Sequence, residues 1–249
     1  MSMFFQGFDK SPAVDKAKAS ALFEGNGGPF KFSGFYLGGP CYLKGDRDSN
    51  NQAKSFTKQL HQDYIDIGYK LGYIYVGRQD QIDCTSPETG DGINDAQEAI
   101  NFALNIGIPD KSVLYLDVEG GNKHSDKMVN YVKEWVDTIN NTTPPNQFFA
   151  GIYCSYGSSG TSAQQLYSVI NQKANMWVAQ YNCNPKFSEN GSCYLTDCNN
   201  TATIHDLDPS KIGAFIHQYA GDVSVNFNQK CVVVDLNVAK SDDPNELQF

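Results

Sequence analysis

The chain is poor in positive charge, in histidine and in long apolar runs. Nineteen Lys and Arg stand against 28 Asp and Glu, a formal net charge of −9 at pH 7. That balance argues against nucleic acid or an anionic membrane surface as the main partner, since both are held by a cationic footprint. No apolar run approaches the ~18–20 residues that span a bilayer, and mean hydropathy is −0.45. The four histidines, His61, His124, His205 and His217, are scattered. Neither G-x-G-x-x-G nor G-x-x-x-x-G-K-[ST] occurs, a Ser/His/Asp triad lacks its G-x-S-x-G elbow, and with the histidines scattered no cofactor or metal is expected. Low-complexity tracts, heptads and short repeats are also missing. Met1–Asp9 lacks the basic leader, sustained apolar stretch and small-residue cleavage site of a signal peptide.

Seven cysteines suit an oxidising compartment, and an odd count leaves at least one thiol unpaired. The expectation is an extracellular or secreted protein, exported by another route or already mature. Asn140, Asn141, Asn190 and Asn199 each open an Asn-x-Ser/Thr sequon, which matters only on a glycosylating route.

With 249 residues, 40% hydrophobic and 12% aromatic, the chain can bury roughly 70–75% of its unfolded surface as one domain. Short apolar strands alternate with amphipathic helices. Strands are expected at 4–9, 32–38, 72–76, 113–119, 148–154, 176–181, 214–219 and 232–236. Helices are expected at 13–23, 55–68, 94–106, 126–139 and 162–172. Eight strands joined mostly by helices imply parallel pairing. A TIM-type (β/α) barrel, irregular in its last units, is favoured over an open doubly wound sheet, which the missing phosphate loop weakens. Residues 1–240 read as a single barrel domain and 241–249 as a loose polar tail.

Acids fall at strand ends: Asp9 on the first, Asp117 and Glu119 on the fourth, Asp235 on the eighth. C-terminal strand ends of a parallel barrel open on one face, where such folds place their chemistry. Asp117 and Glu119 are two apart, so both project inward, ~6.5–7 Å apart along the strand. Two buried acids in one pocket push their pKa values apart, the division of labour that glycosidic cleavage needs. Asp-x-Glu alone is a common tripeptide; the acids on the closing strands make it informative. Tyr36, Tyr75, Tyr153, Trp177, Tyr181 and Tyr219 lie near strand ends as candidate sugar platforms, with Gln180 and Gln218 as hydrogen-bonding partners. Any one of them alone reads better as core.

Cys41 and Cys84 follow neighbouring strands on the same face and are expected to pair. Cys183 is expected to pair with Cys193 or Cys198, pinning a long loop, in preference to a zinc site with His205. Cys154 and Cys231 lie on strands and are expected to be buried thiols.

Several segments recur, in this order, in one group: Gly7-Phe8-Asp9, Gly34-Phe35-Tyr36-Leu37-Gly38-Gly39, Tyr73-Ile74-Tyr75-Val76-Gly77 and Leu114-Tyr115-Leu116-Asp117-Val118-Glu119. They are followed by Gly151-Ile152-Tyr153-Cys154-Ser155, Trp177-Val178-Ala179-Gln180-Tyr181, His217-Gln218-Tyr219 and Val234-Asp235-Leu236-Asn237. Together they resemble the glycoside-hydrolase-like domain of unknown function 1906, related to the glycoside hydrolase family 25 lysozymes, over nearly the whole chain. The resemblance implies a (β/α) barrel with an acid-lined groove. It implies cleavage of the β-1,4 link after N-acetylmuramic acid in peptidoglycan, or of a related amino-sugar polysaccharide. Glu119 then matches the general acid, Asp117 the partner that orients the acetamido group or water, and Asp9 and Asp235 the other groove acids. The same barrel could instead serve a non-catalytic carbohydrate- or cell-wall-binding protein, or a secreted toxin or interaction protein.

Overall fold

The computed structural model describes residues 4–80, 84–157, 160–181, 213–227 and 230–247. Eight strands form a closed barrel in sequence order. They are β1 (Phe5–Asp9), β2 (Phe32–Gly38), β3 (Lys70–Val76), β4 (Val113–Val118), β5 (Phe149–Ser155), β6 (Asn175–Ala179), β7 (Ala214–Phe227) and β8 (Lys230–Ala239). Among the described residues five α-helices pack outside: α1 (Lys16–Leu22), α2 (Lys58–Ile67), α3 (Asp91–Ile106), α4 (Asp126–Asn140) and α5 (Thr161–Ile170).

Local chemistry explains several boundaries. Asp15, Thr57 and Ser125 each accept a backbone N–H from the first turn of α1, α2 and α4, supplying the acceptor those turns lack. Gly68 and Gly107 end α2 and α3 in the left-handed region. α4 buries Met128, Tyr131, Val132, Trp135, Val136 and Ile139 on one stripe. Side chains alternate along each strand. On β4, Leu114, Leu116 and Val118 face the helices, while Tyr115 and Asp117 face the interior.

One expectation fails: the barrel is not all parallel. β1 to β7 run parallel, but β8 is antiparallel to both β7 and β1. β7 and β8 pair directly as a hairpin that continues past the barrel, with Phe227 paired to Lys230. Antiparallel strands need only a short connection, so a helix is dispensable here. Asp235 is therefore mid-strand rather than at a strand end, yet it lies directly opposite Asp9 in the β1–β8 register.

Cys41 and Cys84 are bonded, with Cα atoms 5.8 Å apart, and Cys154 is a buried free thiol. Cys231 is a correction: it is disulfide-bonded and exposed, because it begins β8 on the projecting part of the hairpin. Cys183, Cys193 and Cys198 lie outside the described residues.

The tail is not loose at residues 241–247. Asn245 Oδ1 accepts the Val113 N–H (2.8 Å) and its Nδ2 donates to Leu71 O (3.0 Å). Tyr115 Oη donates to Pro244 O (2.6 Å), and Asn175 Nδ2 to Glu246 O (2.8 Å). The tail thus plugs the end of the barrel where β3, β4 and β6 begin.

Candidate active site

The barrel interior is filled from below by Tyr115 and Trp177, whose rings meet edge to face. Trp177 is fully buried and its Nε1 donates to Asn237 Oδ1 (2.9 Å). Room for it comes from Gly34, where a Cβ would stand 3.0 Å from Trp177 Cη2 and 2.5 Å from Asp9 Cβ. This indole is the floor of the site, not a sugar platform.

On that floor sits Asp9, with no exposed surface. It accepts three hydrogen bonds from neutral donors: Tyr36 Oη (2.9 Å), Gln218 Nε2 (2.9 Å) and Asn237 Nδ2 (2.8 Å). Tyr153 Oη donates to Gln218 Oε1 (2.9 Å), extending the network across to β5. Burial raises the Asp9 carboxyl above its ordinary value despite the three donors.

Asp117, 3% exposed, has an Oδ1 that is buried without a hydrogen-bond partner among the described residues. Burial first, then the charges of Glu119 and Asp9, push its carboxyl well up. Glu119 follows the last residue of β4 and reaches water at the mouth. Partial burial still raises its carboxyl. Asp235, half-buried, is pushed up to about 7 by burial and then by Asp9. Its Oδ1 accepts the Asp222 N–H (2.6 Å). Among the described residues no Lys or Arg forms an ion pair with any of these four acids. Lys10 acts on Asp9 and Asp235 only at a distance.

Tyr181 stands at the rim, 62% exposed. Its ring leans on Gly221, and the charges of Asp235, Asp9, Asp222 and Glu119 all reach its hydroxyl. Gln180 is half-buried beside it. Its N–H donates to Gln218 O (2.9 Å), and its Oε1 is buried without a partner among the described residues.

Eight expected residues therefore converge: Asp9, Tyr36, Asp117, Glu119, Tyr153, Tyr181, Gln218 and Asp235, with Gln180 alongside. Tyr75 and Tyr219 do not. Tyr75 faces the helices, donating to Glu98 Oε2 (2.6 Å) and packing on Trp135. Tyr219 donates to Gln6 Oε1 (2.9 Å), away from the acids. β-strand parity places both outside, since their neighbours Ile74 and Gln218 face in. His217 is an internal strand residue bonded to Gln180 O through Nε2 (2.8 Å).

Two residues were not singled out by sequence reasoning. Asn237 lies two places after Asp235, so strand parity could have placed it beside the acids. Gln79, fully buried, lies in a loop and carries no such signal. A separate cavity of about 760 Å³ lies at the opposite end, against the tail, where Lys70 and Lys111 mix with Asp110 and Asp242. It lacks the convergence of buried acids seen at the mouth.

Solved structures share this fold. An uncharacterised protein of B. stearothermophilus aligns over 98% of this chain and 99% of its own, with 19% identity and a TM-score of 0.64. The modular autolysin LytC of Streptococcus pneumoniae, solved with a synthetic peptidoglycan ligand, aligns over 94% of this chain but 46% of its own (14% identity, TM-score 0.56). The Tat-secreted protein Rv2525c of Mycobacterium tuberculosis aligns over 95% of both chains (13% identity, TM-score 0.50). No curated protein matches by sequence. Residues 29–239 match the model of one family, as the sequence resemblance implied, and the chain belongs to it: the Rv2525c-like, glycoside hydrolase-like domain family.

Proposed function

We propose that this protein is a glycosidase that cleaves an amino-sugar polysaccharide, peptidoglycan or a related glycan, with Glu119 and Asp117 as its working pair. The observation that carries the reading is the buried Oδ1 of Asp117, unpartnered among the described residues, on β4 two residues before Glu119. A carboxyl left unpaired in a protein interior costs stability, and such a group is kept where a ligand completes it.

Glu119, near the mouth with a raised carboxyl, protonates the leaving glycosidic oxygen. Asp117, deeper and more strongly raised, orients the acetamido group or the attacking water. Asp9, fixed by three donors, and Asp235 complete the acid floor and wall. Tyr181 offers the exposed ring on which a sugar stacks. The along-strand spacing of about 6.5–7 Å exceeds the ~5–5.5 Å of a direct nucleophile–acid pair, which favours an inverting or acetamido-assisted route. LytC, of the same fold, was solved with a peptidoglycan ligand, which supports the substrate class. The Cys41–Cys84 bond and the Tat-secreted Rv2525c support export.

Glu119→Gln keeps the shape and removes the proton. Turnover on peptidoglycan or chitin-type oligomers is expected to fall at least ~10²-fold while binding is retained. A wild-type chain that binds these glycans but releases no reducing ends across pH 4 to 8 would replace this reading with a non-catalytic glycan-binding one.

A further inference from the structure

Four consecutive residues after β3 each grip a different part of the molecule. At Gly77 a Cβ would stand 2.5 Å from both Leu116 Cδ1 and Tyr131 Oη, so this segment lies close against the side chains of β4 and α4. The Arg78 N–H donates to Tyr131 Oη (3.1 Å), and the Arg78 Nε pairs with Asp95 (3.2 Å) and Asp91 (3.3 Å) of α3. Gln79 Nε2 donates to Asp117 O (2.9 Å) and Gly77 O (3.3 Å), while its Oε1 accepts the Glu119 N–H (2.8 Å). Asp80 Oδ1 meets His124 Nδ1 (3.1 Å), and its Oδ2 accepts the Ser125 N–H (2.8 Å). The Gln79 N–H donates to Thr85 O (3.1 Å), next to the Cys84 staple to Cys41.

The β3–β4 ladder ends at the pair Val76 and Asp117. Beyond it, the Gln79 amide supplies one donor and one acceptor to the two backbone groups that a further strand residue would have paired. Its side chain is a surrogate peptide group. Glu119 thereby stays in strand register after the strand has ended, and its carboxyl stays on the face of Asp117. The next residue, Gly120, turns away with φ 106°. Asp80 anchors the far end of that same turn. Its partner His124 also meets Ser162 Oγ (2.8 Å) through Nε2, but Ser162 is fully buried, so the Asp–His–Ser series is a strut to α5 and not a nucleophile.

We infer that Gln79 is the positioning residue for Glu119, with Asp80 fixing the other end of the 119–125 turn. Its effect on turnover rests on the glycosidase reading; its effect on the Glu119 carboxyl does not.

The test uses the full chain with Gln79→Met, similar in length but without the paired hydrogen bonds, and Gln79→Glu. Read-outs are carboxyl ¹³C titration of Glu119, folded fraction, and kcat and KM on the oligomers named above. In Gln79→Met, Glu119 should swing toward water and titrate closer to the ordinary carboxylate range. Its kcat should fall ~10²-fold with KM changed less than ~3-fold, since a displacement near 1 Å costs about that much. In Gln79→Glu, the protonated acid copies the amide's donor and acceptor, so kcat relative to wild type should recover as pH falls. Unchanged Glu119 titration and kcat in Gln79→Met overturn the assignment, as does a loss that merely follows the folded fraction. Should Gln79→Met not fold, the pH recovery of Gln79→Glu decides. A wild type without turnover removes the glycosidase reading and leaves the Glu119 titration to decide this one.

Discussion

The two ends of the barrel obey opposite rules. At the tail end, polar groups are matched. Asn245 serves Val113 and Leu71, Pro244 takes the Tyr115 hydroxyl, and Glu246 takes the Asn175 amide. At the mouth, four acids crowd without an ion pair among the described residues, every one of their carboxyls is raised, and Asp117 keeps an orphan oxygen. Matched groups stabilise; unmatched ones are tolerated where a ligand or reaction completes them. The described barrel thus sets matched polar groups at one end and unmatched acids at the other, the end where this architecture generally places its chemistry.

The sharpest way to break that contrast is through the layer between the ends. Trp177→Ala empties the floor and should cost about 3–5 kcal/mol of stability, read by denaturant unfolding. Tyr181→Ala at the rim should leave stability unchanged and weaken glycan binding by about 1–3 kcal/mol, read by titration of folded protein. Equal effects of the two on binding per folded molecule would mean that Trp177 reaches the groove.

A smaller effect is expected at the tail. Asn245→Ala leaves the Val113 N–H and Leu71 O without their partner and should cost about 1–3 kcal/mol. Glycan affinity of the folded molecule should not move. A change in affinity would show the two ends to be coupled.

The smallest effect has the opposite sign. Asp235, raised from 3.8 to about 7, holds a proton in the folded state that the unfolded chain has released. Stability therefore falls as pH rises from about 4 to about 7, and stays lower above that. Asp235→Asn should raise Tm at pH 8, by an amount worth about 1 kcal/mol after allowance for water at the mouth, and change it little at pH 4. A destabilising Asp235→Asn at pH 8 would mean that the Asp222 contact outweighs the crowding of acids.

Much of this architecture is legible in the chain itself. Strand β2 falls at Phe32–Gly38 as read, and α4 differs from its expected range by one residue, because alternation and helical spacing record which faces are buried. The inward direction of Asp117 follows from parity along β4, and the Cys41–Cys84 bond from two loops opening on one face. These are local or nearest-neighbour consequences of sequence. Other features needed the closed barrel. The reversed direction of β8 depends on a hairpin whose pairing is long-range, and it is this reversal that sets Asp235 opposite Asp9 in mid-strand. Tyr75 and Tyr219 read like Tyr36 and Tyr153 in composition, but one residue of register sends them to the other face. Gln79 is the extreme case: no periodicity marks a loop glutamine, and only the end of the β3–β4 ladder creates the two backbone groups that its amide pairs. Sequence determined which residues could face inward; closure of the sheet decided which of them meet, because contacts between distant strands depend on register that no single segment carries.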